Sequence, residues 1–248
     1  MLSHLELPDG RRLAHARVAG RAPCILFCGG FTSDMTGTKA MALEAHCRAV
    51  GRAFSRFDYT GHGASSGAFE DGTIGAWIED ALAIVDRVSE GPLVVVGSSM
   101  GGWIMLHLAL ARPERVRALV GIAPAPDFTE NLLLPEASPE QRRALEEEGR
   151  WMQPSAYGDE PYPVTAALIE DGRRRMLLRG PIPIRCPVYL LHGQRDADVP
   201  WRTSLQLAER LESEDVTIEL LKAGDHRLSG EPDLARIIAA VERLASAL

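Results

Sequence analysis

The sequence predicts an α/β protein in which helices cover a mostly parallel central sheet. Short β-branched runs alternate with longer amphipathic runs along most of the 248 residues, and this alternation is typical of parallel strands joined by helices. Residues 93–96 are apolar at every position and lie between Pro92 and Gly97, as expected of a strand buried on both faces. Hydrophobic residues make up 46% of the chain and charged residues 25%, which excludes a disordered chain.

The first half of the chain opens with a predicted hairpin. Residues 4–7 and 12–18 are joined by Pro8-Asp9-Gly10, whose residue types favour a tight turn. Strands and helices then alternate as strand 24–28, helix 39–50, strand 53–57, helix 74–89, strand 93–96, helix 100–111 and strand 118–122. The helix at 100–111 carries no charge, so we expect it to be buried on all sides.

The pattern changes between about residues 127 and 183, which we call the lid segment. It has many prolines, a charged stretch at 141–150 and no strong strand signal. Afterwards the alternation resumes as strand 188–191, helix 202–211, strand 216–221 and helix 234–248. We therefore expect one domain, residues 1–248, in which a helical lid is inserted between two sheet strands and lies over the strand ends.

Composition excludes several classes of function. The net charge of −7 argues against a nucleic-acid partner, because such proteins usually carry a basic face. The longest nearly uncharged apolar run, residues 103–111, is far shorter than the ~20 residues of a membrane span. The N-terminal residues resemble neither a signal nor a transit peptide, so we expect a cytoplasmic protein.

The four cysteines, Cys24, Cys28, Cys47 and Cys186, are expected to be reduced thiols. Cys24 and Cys28 lie four residues apart on a predicted strand, and roughly 13 Å is too far for a disulfide. No cysteine and histidine spacing indicates zinc. We expect no metal and no cofactor, and the sequence leaves the oligomeric state open.

The strongest chemical signal is Gly97-Ser98-Ser99-Met100-Gly101, a G-x-S-x-G sequence between a predicted strand and a predicted helix. Glycines at both ends let the strand and the helix approach closely. Such a turn holds the hydroxyl of Ser99 out of the sheet and directs the N–H of Met100 at a developing oxyanion. Ser99 is therefore our candidate nucleophile and Met100 our first oxyanion donor.

A serine nucleophile needs a histidine base that a carboxylate orients, and in this type of turn the chain order is serine, acid, histidine. Asp196 follows the predicted strand at 188–191, and His226 follows the strand at 216–221. Asp198, two residues after Asp196, is the alternative candidate for the acid. His62 and His192 precede the loop after the last strand, so they are weaker candidates for the base.

The second oxyanion donor is expected in the loop after the strand at 24–28. Gly29-Gly30-Phe31 supplies flexible backbone there, and we predict that the N–H of Phe31 is the donor. Residues 58–65 indicate a structural loop near the mouth of the pocket, with no catalytic residue.

The sequences GSSMG, HGQRDADVP and GDHR, in this order, resemble the α/β-hydrolase superfamily. Longer segments resemble its mitochondrial palmitoyl-protein thioesterase family, which also hydrolyses mycophenolic acid acyl-glucuronide; they include FCGGFTSDMTGTKA, SRFDYTGHGASSG, VGSSMGGWIMLHLALARPE, GRWMQPSAY and PIPIRCPVYLLHGQRDADVPW. The likeness runs from about Cys24 to the C-terminus. It implies an α/β-hydrolase fold, Ser99 as nucleophile, Asp196 as acid and His226 as base. Because no transit peptide precedes the domain, we expect a bacterial relative.

We therefore expect a serine hydrolase that cleaves acyl esters or thioesters through an acyl-enzyme. Its partner is a small ester or acyl-thioester, or an S-acylated protein. A small-ester carboxylesterase, a C–C hydrolase or lyase, and a ligand-binding protein without catalysis stay as alternatives.

The lid segment leaves two interpretations open. Its apolar side chains either pack the lid onto the body or form an acyl slot; they are Leu132, Leu133, Leu134, Trp151, Met152 and Tyr157. Arg173, Arg174 and Arg175 are either solvated or form a basic rim that favours leaving groups with a carboxylate or phosphate.

Overall fold

The structure, a computed structural model, describes residues 2–154 and 160–248. The strands in these residues are β1 (Leu2–Glu6), β2 (Arg12–Val18), β3 (Arg21–Cys28), β4 (Arg52–Phe57), β5 (Leu93–Ser98), β6 (Val116–Ile122), β7 (Arg150–Gln153), β8 (Tyr162–Thr165), β9 (Val188–Gly193) and β10 (Val216–Leu221). The α-helices are α1 (Thr38–Ala49), α2 (Ile74–Arg87), α3 (Met100–Ala111), α4 (Leu134–Glu136), α5 (Pro139–Glu148), α6 (Ala166–Arg174), α7 (Arg202–Arg210) and α8 (Glu231–Ala245).

Eight strands form one sheet in the order β1-β2-β4-β3-β5-β6-β9-β10. The first two strand pairs are antiparallel, and every pair from β4 to β10 is parallel. The predicted hairpin is confirmed, because β1 pairs with β2 and Gly10 adopts a φ of +87° in the turn. The parallel strands bring the loops after β3, β5, β9 and β10 to the same edge of the sheet.

Two hydrophobic clusters lie on the two faces of the sheet, because alternate residues of each strand point to opposite sides. One cluster contains the buried faces of α2, α3 and α7, and the other contains those of α1 and α8. Helix α3 is buried almost all round, as its uncharged sequence predicts, and Trp103 in its first half is fully buried. The mostly parallel α/β fold predicted from the alternating pattern is confirmed.

The lid segment lies between β6 and β9 and contains, besides α4, α5 and α6, a π-helical turn at Thr129–Leu133. Although the sequence of the segment gives no strong strand signal, β7 and β8 form a separate antiparallel pair beside the helices. Each of the two strands has only four residues, and Pro163 interrupts the polar–apolar pattern of β8, so periodicity gives little signal there.

The two ends of the lid segment are joined through Asp127. This carboxylate is fully buried and accepts hydrogen bonds of 2.8 Å from the N–H groups of Leu177 and Leu178. Further along, Asp171 of α6 accepts a hydrogen bond from the N–H of Gly75 at the start of α2. The lid segment is therefore closed on itself at Asp127 and attached to the body at Asp171.

Among the described residues, no helix combines the length and the apolar character that crossing a membrane requires.

Candidate active site

Ser99 lies at the tip of a sharp turn between β5 and α3. Its φ of 54° and ψ of −120° are unfavourable for a residue with a side chain, and the surrounding chain maintains them. The N–H of Ser99 donates to the carbonyl of Ile122 at 3.0 Å, and the Ser99 carbonyl accepts from Gly102 and Ala125. A Cβ at Gly101 would collide with the carbonyl oxygen of Cys28, so this close approach requires glycine.

Three side chains form a continuous hydrogen-bonded chain at this edge of the sheet. The Nε2 atom of His226 lies 3.1 Å from Oγ of Ser99, and Nδ1 of the same ring lies 2.7 Å from Oδ2 of Asp196. The structure thus brings together the three residues that the sequence analysis singled out. Of the two candidate acids, Asp196 contacts the imidazole, whereas Asp198 donates its main-chain N–H to Oδ1 of Asp196.

Asp196 is buried and accepts four hydrogen bonds. Its Oδ2 receives the rings of His192 and His226, and its Oδ1 receives the N–H groups of Asp198 and Val199. Burial alone raises the pKa of a carboxyl group, but the hydrogen bonds from His192, His226 and Val199 outweigh it and hold the pKa of Asp196 well below its usual range. The carboxylate is therefore charged and can only accept hydrogen bonds.

The loops that carry Asp196 and His226 are packed against each other. A Cβ at Gly193 would collide with the carbonyl oxygen of Gly224, so the end of β9 touches the loop after β10. The N–H of Arg195 donates to the same carbonyl at 2.9 Å. From the opposite side, Nζ of Lys39 donates to the carbonyl of Arg227 at 2.6 Å, next to His226.

The predicted oxyanion donors, Phe31 and Met100, both line the cavity that contains Ser99. Among the hydrogen bonds of the described residues, none uses the main-chain N–H of either residue. Met100 begins α3, whose dipole adds partial positive charge at that end. The ring of Phe31 packs at 5.0–5.7 Å between centroids against four aromatic rings, those of Phe69, Trp77, Phe128 and Tyr162.

The cavity at Ser99 has a volume of about 250 Å³. Its described lining is Phe31, Thr32, Ser99, Met100, Ala125, Phe128, Leu132, Leu133, Glu136, Gln153, Pro154, Tyr162, Ala197, Asp198, Val199 and His226. Leu132 and Leu133 of the predicted apolar set therefore face the cavity, whereas Trp151 is buried and Met152 is exposed. Tyr157, also in that set, lies outside the described residues.

Of the two interpretations of Arg173, Arg174 and Arg175, the structure favours solvated side chains over a basic rim, because none of the three belongs to the described cavity lining. Arg173 pairs with Glu130, and the other two pair with Asp171. Because these ion pairs are partly exposed, each is worth at most about 1 kcal/mol. The main chain of Arg175 has a stronger role, since its carbonyl accepts from Nε1 of Trp103 and Nε2 of His107 on α3.

In the part of the chain that the structure describes, one group of side chains is close enough to share a metal ion: Asp196, Asp198 and His226. Both oxygens of Asp196 and both ring nitrogens of His226 already take part in hydrogen bonds. An ion would have to break the chain from Ser99 to Asp196, so we assign no metal site here.

Sequence reasoning missed one residue that contacts the acid directly. His192 was set aside as a weaker base candidate, yet its Nε2 lies 3.2 Å from Oδ2 of Asp196. The available signal was its position at the end of a buried strand, four residues before the acid. Glu136 and Gln153 in the cavity lining were also missed, because nothing local marks a polar residue of the lid segment as facing the cavity.

The fold and this site define a class of protein. A model of the alpha/beta hydrolase family matches residues 25–238, so the chain belongs to that family. These comparisons support a hydrolase role of the esterase or thioesterase kind, as the sequence analysis expects.

Individual relatives match along nearly the whole chain. It is 44% identical over 246 residues to the mitochondrial palmitoyl-protein thioesterase ABHD10 of Homo sapiens, covering 98% of this chain and 79% of that protein. The solved structure of alpha/beta hydrolase domain-containing protein 10 from mouse has a TM-score of 0.92 and 42% identity, covering 100% of this chain and 99% of that one. The crystal structure of a protein from Agrobacterium vitis S4 has a TM-score of 0.94 and 40% identity, covering 99% of this chain and 98% of that one.

Proposed function

We propose that this protein hydrolyses acyl esters or thioesters with Ser99 as nucleophile, His226 as general base and Asp196 as the acid that orients the base. The observation that carries the proposal is the hydrogen-bonded chain from Oγ of Ser99 through the ring of His226 to Asp196, at 3.1 and 2.7 Å. Because Asp196 is a charged carboxylate, Nδ1 of His226 carries the hydrogen, which leaves the lone pair of Nε2 facing Ser99.

Acylation then proceeds in two steps. Oγ of Ser99 passes its proton to Nε2 of His226 and attacks the carbonyl carbon, which forms a tetrahedral oxyanion. The protonated ring next gives the proton to the leaving oxygen or sulfur as its bond to carbon breaks, and an acyl-serine remains. Water, deprotonated by the same nitrogen, attacks the acyl-serine. Ser99 then recovers its proton from His226 as the carboxylic acid product leaves.

The N–H groups of Phe31 and Met100 stabilise the oxyanion in this proposal. Each such donor contributes about 3–4 kcal/mol in related chemistry, because it is aimed before the charge develops. The aromatic rings packed around Phe31 support this role, since they restrict the movement of the loop that carries its N–H.

The substrate class follows from the cavity and from the relatives. Several relatives are named palmitoyl-protein thioesterases, and we propose acyl thioesters, including S-acylated cysteine, as substrates. The apolar side chains of Leu132, Leu133 and Phe128 supply contacts for the first carbons of an acyl chain. The cavity also holds Glu136 and Asp198 and no arginine or lysine among its described lining, which favours a neutral leaving group over an anionic one.

A small-ester carboxylesterase is the second candidate, and the size of the cavity favours it. Its volume of about 250 Å³ lies below the ~300–1,000 Å³ that is usual for drug-sized ligands. A long acyl chain would therefore extend beyond the part of the cavity that the described residues enclose.

We also propose that residues 1–248 form one domain in which the lid segment covers the reacting groups. The attachment of the lid segment to α2 through Asp171 and the contribution of Leu132 and Leu133 to the cavity support this proposal. A cytoplasmic location stays a prediction, since the matched relatives are named as mitochondrial proteins.

The test is replacement of Ser99 with alanine, with Ser98→Ala as the matched control. We expect Ser99→Ala to lower hydrolysis of a p-nitrophenyl ester by a factor on the order of 10⁴ to 10⁶ and to abolish labelling by a fluorophosphonate probe. Ser98→Ala should keep both, because Ser98 lies in β5, where its side chain is buried and outside the described cavity lining. Labelling of Ser98 in the Ser99→Ala protein would contradict the proposal.

A further inference from the structure

His192 lies at the end of β9 with its ring completely buried. Nδ1 is 2.7 Å from Oγ of Ser204, which is itself fully buried on α7. Nε2 lies 3.2 Å from Oδ2 of Asp196 and 3.0 Å from the carbonyl oxygen of Val199. Both ring nitrogens therefore have partners, although the proposed reaction needs no second histidine.

The partners determine where the hydrogen of the His192 ring lies. The two atoms facing Nε2 are a charged carboxylate oxygen and a carbonyl oxygen, and neither can donate. Nε2 must therefore carry the hydrogen. In the tautomer with its hydrogen on Nε2, Nδ1 accepts, and the hydroxyl of Ser204 donates to it.

His192 and His226 share one oxygen atom. Oδ2 of Asp196 accepts from Nδ1 of His226 at 2.7 Å and from Nε2 of His192 at 3.2 Å. Each donor withdraws negative charge from that oxygen. The bond from His192 fixes the direction of the carboxylate, but it also leaves less charge to stabilise a protonated His226.

We propose that His192 is a positioning residue, held by Ser204 with its hydrogen on Nε2, that orients Asp196 and limits how strongly Asp196 stabilises protonated His226. This inference rests on the roles proposed above for Asp196 and His226. It adds that the second histidine adjusts the base through the acid and touches no reacting atom.

Other charged groups also surround His226. Asp198 comes from the loop of the acid, Asp225 and Arg227 flank the histidine in its own loop, and Lys39 reaches that loop from α1. Variants at His192 and Ser204 leave all four unchanged. A change in pH dependence in those variants therefore reports on the bond to Asp196.

The experiment measures kcat/KM against pH for one p-nitrophenyl ester. His192→Phe keeps a planar ring and removes the donor, and His192→Gln keeps an N–H of similar reach. We expect His192→Phe to lower kcat/KM roughly tenfold to a hundredfold. Its acid-side midpoint should move upward by about half a pH unit to one unit, because the whole charge of Asp196 now faces His226. His192→Gln should restore the midpoint of the unmodified protein.

Two further variants accompany these two. One is a control for the loss of a histidine elsewhere, and the other weakens the bond between His192 and Asp196 indirectly. His107→Gln replaces a half-buried histidine elsewhere in the fold, bonded to the carbonyl of Arg175, and should leave the midpoint in place. Ser204→Ala removes the donor that holds the ring of His192, so the midpoint should move in the same direction as in His192→Phe. Ser204→Ala decides the question if His192→Phe does not fold.

Two results would overturn the inference. One is a folded His192→Phe protein whose pH profile superimposes on that of the unmodified protein, and the other is an unchanged midpoint in Ser204→Ala. The first of these results, even with a drop in activity, would leave His192 with a purely structural role. Failure of the proposed function itself is seen separately, as full activity of Ser99→Ala.

Discussion

The main-chain N–H of Asp198 donates a hydrogen bond of 2.9 Å to Oδ1 of Asp196. Asp198 thus supports the carboxylate of Asp196 through its main-chain N–H. Asp198 also belongs to the lining of the cavity. A change to the side chain of Asp198 leaves that N–H in place. The two aspartates therefore differ in what their side chains contribute.

Replacing each aspartate with asparagine tests this difference. Asp196→Asn should lower kcat by roughly 10³-fold or more, because the amide favours the wrong tautomer of His226. Asp198→Asn should cost under about tenfold, since the backbone bond to Asp196 persists. Steady-state kinetics on one ester compare the two variants directly, and the reverse ranking would show that the acid is misassigned.

The length of the acyl chain is predicted to matter as far as the apolar part of the cavity extends. Each methylene that becomes buried contributes about 0.8 kcal/mol, so kcat/KM should rise by up to roughly 200-fold from C4 to C8 esters. Leu133→Phe narrows the slot and should shift the preference toward shorter chains. Met152→Phe is the matched control, because this lid residue is exposed and outside the described lining.

If kcat/KM stays constant or falls from C4 to C8 esters, the protein is a small-ester carboxylesterase instead. The same series with acyl thioesters of one common thiol separates the effect of the chain from that of the leaving atom.

Stability toward acid is predicted to depend on His62. The side chain is buried among aromatic rings, and burial lowers its pKa to about 4, although the bond to the carbonyl of Thr60 opposes this shift. Between pH 6.5 and 4 the unfolded chain binds a proton here that the folded protein does not. The free energy of unfolding therefore contains the full contribution of a neutral His62 above pH 6.5. As the pH falls toward 4 this contribution is lost, which lowers the free energy of unfolding by up to about 3 kcal/mol.

Urea unfolding at pH 7 and at pH 4.5 measures this loss. His62→Gln cannot take up the proton, so its free energy of unfolding should fall less between the two pH values. An equal fall in both proteins would mean that other groups carry the pH dependence.

The thiols are predicted to be unreactive in the folded protein. Burial raises the pKa of Cys28 and Cys47 to about 12 and that of Cys186 to about 11. At pH 8 only about one thiol in a thousand, or fewer, is then ionised, and the thiolate is the reactive form. A disulfide reagent should modify all four cysteines rapidly in denaturant and far more slowly in buffer. Rapid modification of Cys28 without denaturant would contradict the buried position at the end of β3.

The local sequence around Ser99 contained most of the information that indicates the proposed nucleophile. Glycines at positions 97 and 101 act within one turn, so their spacing is readable from the chain alone. The proposed acid and base could be placed only by chain order, because the parallel sheet brings together loops that are 30 residues apart. The choice between Asp196 and Asp198 needed side-chain directions in an irregular loop, which periodicity does not provide.

The features that the sequence left open or missed depend on residues that are not adjacent in the chain. The cluster Arg173–Arg175 looks like a free basic patch in the sequence, but Glu130, 43 residues earlier, takes one of these charges. The role of His192 depends on how α7 packs, since Ser204 supplies the bond that sets the ring. No local pattern encodes either relationship.

The proposed nucleophile and base differ in how firmly the sheet holds them. Ser99 follows β5, which has partner strands on both sides and is buried throughout, whereas His226 follows β10, a half-buried edge strand with one partner. Edges of a sheet open more readily than its centre, at a lower free-energy cost than global unfolding. Heating should therefore separate the base from the nucleophile first, so that inactivation precedes melting and the amide hydrogens of β5 are among the last to exchange.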